Sequence, residues 1–273
     1  AITYENTNRP VKNAYSGYRG TMTIRDALKY SCNTIAVQCF RDVTPRLGYT
    51  YLKDLGFEKV TDHEIINGQV FDDAREPTAL GGITNGVSTL ELTAAYAAIA
   101  NGGTYTKPVF YTKILDQNGD VVLKNKPKTA EVFRESTAYL LTSALESVVN
   151  DEGGTGNGLK LDNMPVAGKT GTTSATRDVW FAGFTPYYTC AVWGGYDDNK
   201  ECDYDTSFRF RLWKGIMSRI HENLEEKDFK VPSSVERKSI CTITGKLAGS
   251  GCPSITEYFA KDTLPTETCS GHG

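Results

Sequence analysis

Three apolar runs, Met164 to Thr172, Val179 to Thr185 and Thr189 to Tyr196, follow one another with only short breaks at Arg177-Asp178 and Pro186-Tyr187. Links of that length cannot carry a crossover helix, so the runs must double back as an antiparallel meander. The rest of the chain has to pack around it. Thr206 to Leu224 places Phe210, Trp213, Ile216, Met217 and Ile220 at helical spacing, and this amphipathic helix is predicted to cover the sheet. Upstream, Thr23-Ile24-Arg25-Asp26 reads as a capping box. Ile24, Ala27, Leu28, Ile35 and Cys39 then recur at helical intervals, as one helix or as two short ones around Ser31. Pro45 to Leu55 reads as a helix stopped by Gly56, and the stretch from there to about Leu80 as a loop. Ser88-Thr89-Leu90-Glu91 caps another helix with Leu92, Ala95, Tyr96 and Ile99 as its buried stripe, ended by Gly102-Gly103. Asn118-Gly119, between strands resuming at Val109 and Val121, predicts a ribbon. Ala138 to Val149 is helical, with Leu141, Leu145 and Val148 on one face, and Gly153-Gly154-Thr155-Gly156 breaks it. Helix-rich segments with an antiparallel sheet define an α+β fold.

Composition sets the outer bounds. With 39% hydrophobic residues in 273, the chain can bury a sizeable core. A net charge of −3, with Lys and Arg scattered, argues against a nucleic-acid partner. No apolar run reaches the roughly 18 residues that span a bilayer. Ala1 to Gly20 is polar and turn-rich and reads as a connecting segment.

Seven cysteines leave at least one unpaired. Cys32, Cys39 and Cys190 fall in apolar patterns and read as core thiols, while His63 and His221 stand alone and read as surface residues. Cys241, Cys252 and Cys269 lie in a Gly-, Ser- and Pro-rich tail with little apolar periodicity, which needs a covalent staple. One disulfide is expected there. The competing reading takes Cys241, Cys252, Cys269 and His272 as four zinc ligands, on the ligand-like spacing of Cys269-x-x-His272. No other metal and no cofactor is expected.

The chemistry concentrates in Lys169-Thr170-Gly171-Thr172-Thr173. On a strand edge this run offers an ammonium, hydroxyls and a bare backbone, the parts that hold a peptide carboxylate beside a reacting serine. Gly171 permits close approach of a ligand, and Thr172 offers its N–H to an oxyanion. Ser31-Cys32-Asn33 puts a hydroxyl and a carboxamide two residues apart, and both face one cleft if the helix breaks there. None of the serines begins a Ser-x-x-Lys motif, so the attacking serine of such a site is missing from these residues.

These motifs sit in longer blocks. Tyr18-Arg19-Gly20-Thr21-Met22-Thr23-Ile24-Arg25-Asp26-Ala27-Leu28 precedes Ser31, and Ala79-Leu80-Gly81-Gly82 precedes Gly86-Val87-Ser88. Ala95-Tyr96-Ala97 precedes Ala100-Asn101-Gly102-Gly103, and Ala167-Gly168 leads into Lys169, followed by Asp178-Val179-Trp180-Phe181-Ala182-Gly183-Phe184-Thr185-Pro186. In this order, from about Tyr15 to Asp197, the chain resembles the transpeptidase domain of class A penicillin-binding proteins. The resemblance implies the penicillin-binding protein and serine β-lactamase-like transpeptidase fold, incomplete in this chain: an antiparallel sheet covered by helices plus a helical subdomain. It divides the chain into residues 1–230, the C-terminal part of that domain, and 231–273, a cysteine-containing tail.

It also implies a peptidoglycan DD-transpeptidase that cross-links stem peptides ending in D-Ala-D-Ala through a serine acyl-enzyme and is acylated by β-lactams. Ser31 would relay a proton to the leaving amine, and Lys169 would hold Ser31 and raise the local positive potential. Asn33 would bond the substrate amide and the motif lysine, while Thr170, Gly171, Thr172 and Thr173 would line the substrate site. The nucleophile of the family lies several tens of residues before the Ser-x-Asn loop. It is therefore expected on an upstream segment or a second chain carrying Ser-x-x-Lys. The implied setting is the extracytoplasmic face of the bacterial membrane, with the anchor outside these residues, in a parent that is also a glycosyltransferase. Two other readings stay open: a penicillin-hydrolysing or sensing relative, and a non-catalytic binding module.

Overall fold

The computed structural model describes residues 2–5 and 7–272. Helix α1 (Ile24–Lys29) starts at Thr23, whose side chain accepts from the Asp26 N–H. It ends in a bend at Ser31, the chain's two-helix alternative, and α2 (Asn33–Val43) follows. Thr44 caps α3 (Pro45–Asp54), which opens on its proline and closes at Leu55-Gly56. The expected loop beyond it holds a hairpin, β1 (Glu64–Ile66) and β2 (Gln69–Phe71), turned by Asn67-Gly68 with both residues at positive φ. Strands of three residues are too short to display an alternating pattern, although Asn-Gly is a hairpin turn signal.

Ser88 and Glu91 form the full capping box of α4 (Thr89–Ala100). After it, β3 (Thr104–Thr106) pairs with β6 (Thr129–Glu131), enclosing the ribbon of β4 (Lys113–Leu115) and β5 (Val121–Lys124). The ribbon turns at Asn118-Gly119 as expected but begins at Lys113, not Val109. Helix α5 (Glu135–Asn150) leads into the meander of β7 (Ala167–Thr172), β8 (Asp178–Phe184) and β9 (Thr189–Gly195), antiparallel throughout.

Alternation along the strands sorts the core into two layers. Ala167 and Phe184 face α4 and α5, where they meet Leu145, Val148, Tyr96 and Ile99. Phe181 and Val192 point the other way, under α6 (Phe208–His221), against Trp213 and Met217. Phe181 and Trp213 meet edge to face at 4.9 Å. Gly183 is required there, since a Cβ would stand 2.8 Å from the Phe181 ring and 2.9 Å from the Trp213 indole. A third cluster, Leu55, Phe57, Val60, Ala95 and Ala98, lies on another side of α4. That helix therefore buries more than the single stripe expected of it.

On α6 the buried stripe is Trp213, Met217 and His221, at successive four-residue steps, while Ile216 and Ile220 are exposed. His221 is not a surface residue: its Nδ1 donates to the Met217 carbonyl at 2.7 Å, and its Nε2 accepts from the Thr185 hydroxyl at 2.8 Å. Of the three expected core thiols, Cys32 is buried, and Cys39 and Cys190 are half-buried.

The tail is more ordered than its composition implied. Strands β10 (Val235–Cys241) and β11 (Ser254–Ala260) pair along seven residues each. Charged residues interrupt β10 in sequence: Lys238 pairs with Glu236 along its own strand, and Arg237 lies over the ring of Tyr258 on β11. No disulfide forms among the described residues; instead, three of the tail thiols gather with His272. No helix of the described residues is long and apolar enough to cross a membrane.

Candidate active site

The site is built where α1 ends. Ser31 takes φ 54°, a left-handed conformation that costs a non-glycine residue about 1 kcal/mol. Two hydrogen bonds hold the bend, from Ser31 N–H to the Leu28 carbonyl (3.1 Å) and from Cys32 N–H to the Ala27 carbonyl (2.8 Å). The break turns the Ser31 hydroxyl away from the helix axis toward β7. There Lys169 Nζ donates to Ser31 Oγ at 2.9 Å, across 138 positions of sequence. Lys169 alternates with Ala167 on the face of β7 that looks toward the helices, which is why it reaches α1.

Burial pulls the Lys169 ammonium down from its usual range to about 8. Among the described residues no carboxylate pairs with it. Its other contacts are the Thr170 carbonyl at 3.1 Å and, at 3.5 Å, the Thr170 hydroxyl. A half-buried cation without a counter-ion is a receptor for an anion or a developing negative charge.

Thr170 stands on the opposite face and donates to the hydroxyl of Thr155 at 2.9 Å. Thr155 in turn donates its N–H to the Lys29 carbonyl at 3.3 Å, joining the glycine-rich loop after α5 to the end of α1. Sequence reasoning used that loop only as a helix breaker and so missed Thr155. The signal was a hydroxyl residue set between glycines. Alternation puts Thr172 on the face of Thr170, exposed. Gly171 contributes its own constraint, because a Cβ there would lie 3.1 Å from the Trp180 Cβ on the paired strand. Thr173 is placed differently from the others. Its hydroxyl accepts from the Asp178 N–H at 2.8 Å and contacts the Asp178 carboxylate at 3.2 Å, which ties it into the β7–β8 turn.

Asn33 opens α2 and donates its carboxamide N–H to the Lys12 carbonyl at 2.8 Å. Asn13 Oδ1 accepts from the Thr34 N–H at 3.3 Å and lies 3.5 Å from the Cys32 sulfur. The N-terminal segment is thus more than a connection: it buttresses the Ser31–Asn33 bend. Val11, fully buried, anchors it. The outer edge of β7 has no strand partner among the described residues, so its backbone groups line the open side of the site.

The layered sheet and the strand lysine at the inter-helix serine define a transpeptidase fold of the penicillin-binding class. The crystal structure of penicillin-binding protein 1A from Haemophilus influenzae superposes with a TM-score of 0.81, at 25% identity, covering 98% of this chain and 44% of that one. The chain belongs to the penicillin-binding protein transpeptidase domain family, whose profile matches residues 2–210, and residues 231–273 match the profile of penicillin-binding protein 1A, C-terminal domain. Penicillin-binding protein 1A of Clostridium tetani is 34% identical over 96% of this chain and 34% of its own length. Penicillin-binding protein 1F of Bacillus subtilis is 35% identical over 85% of this chain and 32% of its own length. The chain spans about a third of the length of these curated relatives.

Proposed function

We propose that this chain supplies the substrate-binding and proton-handling part of a peptidoglycan DD-transpeptidase site, completed by a Ser-x-x-Lys segment outside these residues. The observation that carries the reading is the 2.9 Å contact of Lys169 Nζ with Ser31 Oγ. In the reaction, the serine of that segment attacks the carbonyl of the penultimate D-Ala. The C–N bond breaks, an ester forms, and terminal D-Ala departs as a neutral amine after gaining a proton. Ser31 is placed to pass that proton on, because one hydroxyl can donate to the leaving nitrogen while accepting from Lys169. An amine from a neighbouring strand then attacks the ester, restoring the serine and making the cross-link.

Lys169, Thr170 and Thr172 hold the terminal carboxylate, and the unpaired edge of β7 receives the extended peptide. The Thr172 N–H shares the oxyanion, and Thr173 shapes the turn that ends the strand. Asn33 has its carboxamide oxygen left for the motif lysine or the substrate amide. β-Lactams enter by the same route, their ring amide opening onto the serine. Against a penicillin-hydrolysing role stands the lack of any carboxylate bonded to Ser31 or Lys169 among the described residues to activate a deacylating water. On this reading the parent acts on the outer face of the membrane and also carries a glycosyltransferase. Residues 1–230 form the transpeptidase part, and 231–273 a cap on it.

The test is acylation of the full-length protein by a labelled penicillin. Lys169→Ala is expected to slow it about a hundredfold or more, with the far-ultraviolet spectrum unchanged. An unaltered rate removes Lys169 from its assigned role.

A further inference from the structure

The tail is held by something other than a hydrophobic core. The three core clusters draw on residues no further along the chain than Phe229. Beyond it, the buried apolar side chains are Val235, Ile240 and Ala260, with the thiols Cys241 and Cys269. A unit that small needs a staple. The backbone brings four ligand-bearing residues to one point. Cys241 ends β10, and Cys252 lies just before β11. Cys269 is fixed by a bond from its N–H to the Leu247 carbonyl at 2.8 Å, and His272 follows it.

The Cys241, Cys252 and Cys269 sulfurs and a ring nitrogen of His272 all lie within 4.8 Å of one another. His272 Nε2 is 3.0 Å from the Cys241 sulfur and 3.3 Å from that of Cys269. Around a tetrahedral zinc the S···S and S···N edges are about 3.5–3.8 Å, so side-chain shifts of up to about 1 Å seat the ion.

We propose that Cys241, Cys252, Cys269 and His272 bind one structural zinc ion that clamps the β10–β11 hairpin to the segment following Leu264. Four protein ligands close the coordination shell, so the site is structural and leaves no position for a substrate. Coordination uses three thiolates and one neutral imidazole, and the thiol protons pass to solvent. A disulfide in the same place uses two sulfurs and leaves the third thiol and the imidazole without a task, whereas zinc uses all four. The inference is independent of the transpeptidase reading.

The full-length protein, purified without chelator and with zinc in the medium, is analysed by elemental mass spectrometry. About one zinc per chain is expected. An organomercurial thiol reagent should release it to a colorimetric chelator, and cobalt(II) in its place should give the intense visible bands of a tetrahedral thiolate site. Cys252→Ser and His272→Ala should lower the zinc content, while Cys39→Ser should not. Should the variants fail to fold, the wild-type protein still decides. Zinc far below one per chain, or two thiols recovered only after reduction, overturns the proposal, as does full zinc content in a folded Cys241→Ser/Cys269→Ser variant.

Discussion

At the scale of single residues, Lys169 carries opposing demands. Its ammonium is pulled down to about 8 by burial, whereas in the unfolded chain it keeps its ordinary value near 10.5. Between those pH values the unfolded chain holds a proton that the folded chain has given up, so stability rises with pH through that window. Below about pH 8 the folded protein bears the cost of a half-buried cation. Lys169→Met is therefore expected to be more stable at pH 7, by up to ~3 kcal/mol, and to lose the gain on moving to pH 10. Denaturant titrations at the two pH values read this directly, and equal midpoint differences at both would refute it. The Ser31 and Lys169 pairing was legible in the sequence because Ser-x-Asn and Lys-Thr-Gly, each a weak signal alone, occur together in that order. The supports of the neighbouring site residues were harder to read: Asn33 is held by the Lys12 carbonyl, which leaves no mark in residue type, and Thr170 by Thr155, whose one sign is a hydroxyl residue set between glycines. His221 was misread for another reason. It continues the stripe of Trp213 and Met217, but a polar residue does not count in an apolar pattern, and only Thr185 and the Met217 carbonyl make its burial tolerable.

At the scale of elements, α5 contains a titrating group under strain. Burial raises the Glu146 carboxyl to about 7, with Arg25 lowering it and Asp228 adding to the rise. The folded chain then holds a proton between about pH 4.5 and 7 that the unfolded chain releases, so stability falls as pH rises through that interval. Glu146→Gln should flatten this part of the profile and raise the urea midpoint at pH 8 relative to wild type. A profile that keeps its slope would exclude Glu146 as the source. Long elements were readable from periodicity, since α5, α6 and the meander each repeat their pattern often enough to set a period. Short or charge-rich ones were not. Hairpin β1–β2 has three residues per strand, and β10–β11 is held by its ladder and by the Arg237 contact with the Tyr258 ring rather than by an apolar face.

At the scale of the molecule, the tail is docked on the helices by a few specific contacts. Arg25 forms a two-pronged pair with Glu257 of β11 (2.5 and 2.7 Å) and donates to the Ser143 carbonyl and the Ser147 hydroxyl of α5. Arg134 pairs with Asp262 at 2.5 Å, and Tyr139 meets Tyr258 edge to face at 5.2 Å. The Arg25 pair is mostly shielded from water, so removing one partner strands the other. Arg25→Ala should cost about 2 kcal/mol and speed hydrogen exchange in β10–β11 more than in β7–β9. Uniform exchange across both sheets would argue that the tail is held elsewhere. Because Arg25 sits in the helix whose end bends at Ser31, acylation kinetics of the same variant report how far tail and site are mechanically linked.

The unaccompanied rim of β7 sets a limit on what substitution can do. Amides and carbonyls there belong to the main chain and survive every replacement except proline. Any extended molecule lying along that rim is gripped by atoms common to all residues, so changes of side chain on the strand adjust its hold without erasing it.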